Sequence, residues 1–369
     1  MRRHQCRPDP LTPARRRRSA RGLTLVELMM SAALGILLLT AAVAVLLAAG
    51  RMRRNQQLLS DANDEARAAL RVVSRALAAT GVGGSVYAYL DDVGNKQQRA
   101  ALIFTNGAAP LSAPDMPQAP DTITLLRYAA DRRSELVENL VGPLLRLTPD
   151  PRLSTTPGVI PDIFQAGESA LVTNFQRAML LPVSKHELNG PARTVDVETG
   201  LVNPVLLQDA QIPIEPGSSV FPVQVVRYRV LHVPAAGNQP ERGDLVMETL
   251  NPRTLAVLDQ SVLARDVEDF QVQWAYDRND DGVADGGYSD DGPTGTAIDP
   301  GLTFARVSIS ARTSAQLVSD KGPFEAKGEM TPFERGLDLG GAEQPPPSGY
   351  RRRVLSTVVL LKNLAAPRI

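Results

Sequence analysis

One cysteine, three histidines and few aromatic side chains occur in this chain of 369 residues, and each scarcity closes off a class of explanation. The lone Cys6 lies in a basic N-terminal stretch that reads as a removable leader, so the chain without it has no thiol and no disulfide. His4, His186 and His232 are too few and too scattered for a histidine metal cluster. Aromatics make up 4% of the residues against 43% hydrophobic overall, so the core must be built mainly from aliphatic side chains. Net charge is also missing, but the zero conceals an asymmetry. Arg2, Arg3, Arg7, Arg15, Arg16, Arg17, Arg18 and Arg21 precede Gly22 against the single acid Asp9. This surplus of seven positive charges leaves the remainder of the chain at −7. A basic nucleic-acid surface is therefore not expected on the body of the protein.

Charge is next absent from Leu28 to Ala49, where Ser31 and Thr40 carry the only side-chain hydroxyls. Such a run, at 1.5 Å per residue, makes a helix of roughly 33 Å, the thickness of a hydrocarbon core. Arg51, Arg53 and Arg54 follow directly. The run is longer than the apolar part of a secretory signal peptide, and no A-x-A-like cleavage site follows it. An ordinary signal anchor is the plain alternative. Proline is absent from Leu23 to Thr80, and Leu58, Ala62, Ala66, Ala69, Leu70, Val73 and Leu77 recur at helical spacing beyond the apolar run. The helix is thus expected to continue to the glycines around Gly81–Gly84, over residues 23–80, a length of about 85 Å.

The junction Arg21-Gly22-Leu23-Thr24-Leu25-Val26-Glu27-Leu28 sets a glycine after the basic leader and one glutamate at the edge of the apolar run. An acid there is costly in lipid unless a charge partners it. This arrangement resembles the class III signal of type IV prepilins and of type II secretion pseudopilins. The resemblance implies cleavage by a prepilin peptidase between Gly22 and Leu23, with methylation of the new amine. A leucine stands where that family usually begins with phenylalanine. Glu27 becomes the fifth residue, one helical turn from a cationic amine, its own or a neighbour's. A buried pair of this kind adds little net stability but sets register.

Beyond the helix the period changes. Residues 102–104, 123–126, 170–175, 223–231, 270–276, 305–311 and 354–361 read as strands, and the pairs of alternating residues at 270–276 and 305–312 as half-buried ones. Proline-rich stretches at 108–120, 142–161, 212–222 and 340–349 read as loops. The expectation is an α+β protein: leader 1–22, transmembrane and assembly helix 23–80, and a β-rich antiparallel head 81–369 with long loops. Three blocks, Gly167-Glu168-Ser169-Ala170-Leu171-Val172, Val267-Glu268-Asp269-Phe270-Gln271-Val272-Gln273-Trp274 with Asp277, and Arg351-Arg352-Arg353-Val354 through Asn363, resemble motifs of the PilW-like minor pilins. The J subunit of type II secretion has a similar plan.

In the head, Asp277-Arg278-Asn279-Asp280-Asp281-Gly282-Val283-Ala284-Asp285 matches positions one, three, five, six and nine of an EF-hand-type loop. Asp277, Asn279, Asp281 and Asp285 would give side-chain oxygens and Val283 its carbonyl, making calcium the candidate cofactor. Tyr288 stands where the bidentate glutamate belongs. The alternative is an acidic hairpin tip, since Asp281-Gly282 is a turn dipeptide by itself. Lys185-His186-Glu187 and His232 lie beside no nucleophile motif, and no enzyme is expected. The resemblance implies a minor pilin-like subunit of the bacterial inner membrane, single-pass with its head in the periplasm, that joins the priming complex or tip of a pilus. Its implied partners are the prepilin peptidase and other major and minor pilins. The rivals are a secretion pseudopilin and, from another class, a membrane-anchored periplasmic module that never polymerises.

Overall fold

In a computed structural model, the described residues are 24–364 except 82–83, 92–94, 108–119, 130–131, 139–143, 150–162, 166–167, 176–177, 190–193, 200–214, 237–240, 280, 291, 294–297, 299–300, 315–317, 320–321, 324–351 and 362. The proposed cleavage residues Gly22 and Leu23 lie outside them, as does Asp280. The chain divides into two compact units, Met1–Arg54 and Asn55–Ile369.

In the first unit the described structure is the beginning of helix α1, Leu25–Ala79. This helix is long and apolar enough to cross a membrane. Leu25, Leu38 and Leu46 are 75%, 68% and 71% exposed.

The second unit begins on the same helix and is otherwise β-rich. Strands β1 (Val86–Leu90), β2 (Lys96–Ala100), β3 (Leu102–Thr105), β4 (Thr122–Tyr128), β5 (Ser134–Leu136), β6 (Leu144–Pro149), β7 (Ser169–Thr173), β8 (Ala178–Asn189), β9 (Thr194–Thr199), β10 (Ser219–Val233), β11 (Arg242–Leu250) and β12 (Val257–Ala264) form one twelve-stranded sheet. Its main path runs β12-β11-β10-β5-β6-β9-β8-β1-β2, with β3 joined through β4, and both β4 and β7 paired to the long β10. Strands β13 (Val267–Tyr276), β14 (Leu302–Arg312) and β17 (Arg352–Leu360) form a second sheet, and β15 (Val318–Ser319) with β16 (Gly322–Pro323) a two-stranded ribbon.

The expected all-antiparallel head is corrected at one place: β1 runs parallel to β8, Ala88 opposite Met179. A parallel neighbour needs a long crossover, and here β2 to β7 intervene. Two of the proline-rich stretches expected as loops also hold strands. Leu144–Pro149 is β6, and β10 runs through Pro222. Proline lacks an N–H but keeps its carbonyl, and Pro222 uses that carbonyl to accept the N–H of Ala129 at 3.0 Å.

The main core lies between the helix and both sheets. Ala66, Ala69, Leu70, Val73, Ala76 and Leu77 are the buried stripe of α1. They pack with Leu102, Ile123, Val226, Tyr228, Phe270, Val272, Trp274, Val307 and Ile309. Three of the six helical residues are alanine, so the helix backbone approaches the strands closely. The larger Leu70, Val73 and Leu77 each contribute about 1.5–3 kcal/mol by burial. β13 shows the expected alternation, with Phe270, Val272 and Trp274 fully buried and Gln271 and Gln273 half-buried. Register shifts at Val267/Asp269 and Ala275/Tyr276 break it at both ends, which buries Asp269 beside Phe270.

The helix ends where the glycines predict, against a partner that the sequence pattern does not reveal. Gly81 has φ +88, and a Cβ there would sit 2.5 Å from Leu364 and 2.8 Å from the Asn363 carbonyl. The Asn363 side-chain amide donates to the Ala78 carbonyl at 3.2 Å, so the C-terminal turn caps α1.

Candidate functional site

Thr24 precedes the first helical residue, and its side chain and that of Glu27 exchange hydrogen bonds. The Glu27 N–H donates to Thr24 Oγ1 at 3.3 Å, and the Thr24 N–H donates to Glu27 Oε2 at 3.3 Å. Thr24-Leu25-Val26-Glu27 is therefore a capping box that satisfies two of the N–H groups a helix start leaves without partners. The S/T-x-x-E signature stands in the sequence beside the glycine–glutamate arrangement. Glu27 thus has a local role on its own chain.

The acidic segment after β13 folds into a turn held by its own backbone. Asp277, buried at the strand end, accepts the N–H groups of Asp281 at 3.2 Å and Gly282 at 2.8 Å. Asp285 Oδ2 accepts those of Arg278 at 2.6 Å and Asn279 at 3.3 Å. Asp281 accepts the Val283 N–H at 2.8 Å and the Asn279 side-chain amide at 3.0 Å. Gly282 and Gly286 have φ of +82 and +92, values that favour glycine. Val283 points its side chain to solvent. Tyr288 lies under the Arg306 guanidinium, 3.8 Å from its centre. Among the described residues no group of three or more His, Cys, Asp or Glu side chains converges as a metal would require. The oxygen-only donor set has the right chemistry for a hard cation, but in this arrangement its carboxylates face amides.

The histidines are no closer to a site. His232 meets Glu241 at 3.1 Å on the surface, and the side chain of His186 lies outside the described ones. A cleft of about 480 Å³ is walled by Arg127, Tyr128, Arg132, Gln165, Glu168 and Gln224. There Arg132 grips Glu168 through both nitrogens, at 2.8 and 2.5 Å. The pair is structural, since Glu168 also accepts the Gln165 N–H at 2.7 Å.

Sequence reading missed the buried carboxylates entirely. Asp121 donates its N–H to the Phe270 carbonyl at 2.8 Å, and its carboxylate accepts the N–H groups of Val272 at 2.8 Å and Gly107 at 3.1 Å. It thereby clips the edge of β13 to the segment before β4. Asp269 is also buried. Its Oδ1 accepts from Gln271 at 2.9 Å while its Oδ2 has no hydrogen-bond partner. Burial pushes each carboxyl up to about 6, against the pull of the N–H groups on Asp121 and of Gln271 and the Phe270 N–H on Asp269. No spacing rule predicts such groups, because they come from segments about 150 residues apart.

No family model and no characterised protein matches this chain.

Proposed function

We propose that this chain is a type IV pilin-like subunit of the minor kind, cut by a prepilin peptidase between Gly22 and Leu23 and carried from the inner membrane into the priming complex or tip of a pilus. The observation that carries this reading is the single helix Leu25–Ala79, apolar at its start and bearing a buried stripe on a β-rich unit at its end. An anchor alone needs only the first half. A continuous helix that serves both an apolar span and a folded head suits a subunit handed from lipid to a filament core. The basic leader, Gly22 and Glu27 support the same reading.

The chain acts by packing rather than by chemistry, with other major and minor pilins as partners. Glu27 holds the capping box until the neighbouring amine that completes its charge pair is in place. Calcium is the ligand assigned to the loop of Asp277, Asn279, Asp281, Val283 and Asp285. To bind it, the carboxylates must turn part of their oxygen surface from the loop amides to the ion, which favours the weak range of extracellular modules.

The deciding experiment is intact mass and N-terminal sequencing of the chain from a host with the peptidase. A methylated Leu23 at the N-terminus is expected. Retained Met1, or cleavage near Ala48-Ala49, overturns the pilin reading and leaves a signal anchor or signal peptide.

A further inference from the structure

Along β10 the neighbouring strand changes, from β4 opposite residues 223–228 to β5 opposite Ser219 and Val220. The change happens at Pro222, which stands opposite Ala129 one step beyond the Val223–Tyr128 pair. The Ala129 N–H reaches the Pro222 carbonyl at 3.0 Å, but proline has no N–H to return. The Ala129 carbonyl accepts the Arg132 N–H at 3.2 Å instead, and the chain turns out of the sheet before β5. The cleft of about 480 Å³ opens at this break. Small-molecule sites usually have volumes of about 300–1,000 Å³.

Arg132 and Glu168 neutralise one another in its wall, and the Ile163 carbonyl takes a further Arg132 N–H at 3.0 Å. Other polar groups around the cleft are unused. Arg127 is exposed and forms no ion pair among the described residues; it donates only to the weak acceptor Met247 Sδ, at 3.9 Å. The side-chain amides of Gln165 and Gln224 and the Tyr128 hydroxyl have no hydrogen-bond partner among the described residues. The Tyr128 ring, half-buried, is fixed by an edge-to-face contact with Phe221, ring centroids 5.8 Å apart.

We propose that this cleft binds a hydroxylated monocarboxylate, a sugar acid of the hexuronate class, with Arg127 on its carboxylate, the Gln165 and Gln224 amides on its hydroxyls and the Tyr128 ring against its pyranose ring. One uncompensated guanidinium matches one carboxylate, and its planar fork fits two oxygens. A phosphate dianion would leave a charge unmet. An amino acid would bring an ammonium group, and the carboxylate in the described wall, that of Glu168, is already occupied by Arg132 and the Gln165 N–H. An apolar acid would desolvate two amides and a phenol without pairing them. Hydroxyls donate and accept, as primary amides do, so a polyol satisfies them. The site is independent of the pilin reading, since none of these residues belongs to α1.

The test is titration of the full chain, in detergent, with galacturonate and with glucuronate, followed by saturation-transfer NMR. At least one should bind with a millimolar Kd. Its methyl ester, which keeps the ring and loses the charge, should bind about tenfold more weakly or worse. Arg127→Gln should weaken binding of the acid about tenfold to a hundredfold, the worth of hydrogen bonds to a charged group. Gln224→Leu should weaken it about threefold to tenfold, the loss of neutral ones. Arg133→Gln removes the same charge from a pair with Glu135 outside the cleft and should leave binding unchanged. Equal binding of the methyl glycoside marks a residue within a polysaccharide as the source, and its loss a free sugar acid; either result keeps the site. Failure of both acids, an ester that binds as well as its acid, or equal losses from Arg127→Gln and Arg133→Gln overturns the proposal. The comparison of acid with ester uses the unaltered chain and so stands whether or not a variant folds.

Discussion

Asp269→Asn should stabilise the head at neutral pH, although it alters a buried position of β13. Asp269 is 8% exposed and its Oδ2 meets no donor, so the charge it carries at pH 7 is held against burial. Its carboxyl is pushed up to about 6 from the ordinary 3.8. A folded-state value above the unfolded one means that the folded protein holds its proton more tightly. The associated stability is complete below pH about 4 and is lost as pH rises through 6. The full swing for this one group is on the order of 3 kcal/mol. Asparagine removes the charge, keeps an oxygen for the Gln271 amide and leaves one neutral N–H group without a partner, at a cost of about 1 kcal/mol. The net gain at pH 7 is therefore about 1–2 kcal/mol, a few degrees in Tm for a unit of this size. It should vanish near pH 4, where the wild-type carboxyl is already neutral. Urea denaturation of residues 55–369, wild type and variant, from pH 4 to 8 measures both. Loss of stability in the variant at pH 7, or an advantage that does not shrink as pH falls, refutes the reasoning.

Asp121→Asn is the informative contrast. Its carboxyl is raised to about 6 as well, but both oxygens accept backbone N–H groups, and an amide nitrogen facing one of them should cost about 1–3 kcal/mol in the same denaturation assay. Gly81→Ala combines a positive φ with a close approach to Leu364 and Asn363, and should lower stability by about 2–3 kcal/mol, the strain of the conformation plus local displacement; a change within 0.5 kcal/mol would mean that the C-terminal turn simply moves aside. For Glu27, glutamine keeps the capping box and removes the charge, whereas alanine removes both. Incorporation into filaments, read by crosslinking to other pilins, should fall about equally in the two variants if charge sets register, and only Glu27→Ala should fall if capping is the whole role. Millimolar calcium should raise the Tm of residues 55–369, by an amount equivalent to about 2.7 kcal/mol at a hundredfold excess over Kd and less for a weak site. Asp277→Ala with Asp281→Ala should abolish the rise, and a rise that survives the double change removes the loop from consideration.

The helix was legible from residues alone because its causes are local. An uncharged stretch of 22 residues, a proline-free run to Thr80 and a 3.6-residue apolar stripe act within the helix itself, and the structure places α1 over Leu25–Ala79. The alternation in β13 and β14 was legible for the same reason. Phe270, Val272 and Trp274 declare a buried face by their spacing, whatever strand lies opposite. Leu144–Pro149 and the start of β10 were hidden, because a proline that forbids a helix does not forbid a strand position where only the carbonyl is used, as at Pro222. The buried Ser308 and Ser310 belong to β14, the middle strand of three, and no local pattern signals that coverage.

At the candidate sites the division is sharper. Glycine, glutamate and the acidic nine-residue run are visible as letters, and so is the capping box of Thr24 and Glu27 once the helix start is known. What each acid does depends on what faces it. The carboxylates of Asp277, Asp281 and Asp285 meet loop amides, and Asp121 meets β13 from about 150 residues away. Helix and alternation arise from interactions between residues a few positions apart, so sequence by itself determined them. Strand order, the parallel β1–β8 pair, the C-terminal cap on α1 and the burial of Asp121 and Asp269 arise from contacts between distant segments, whose loop-closure cost is offset only by the whole core. Only the tertiary structure decided those.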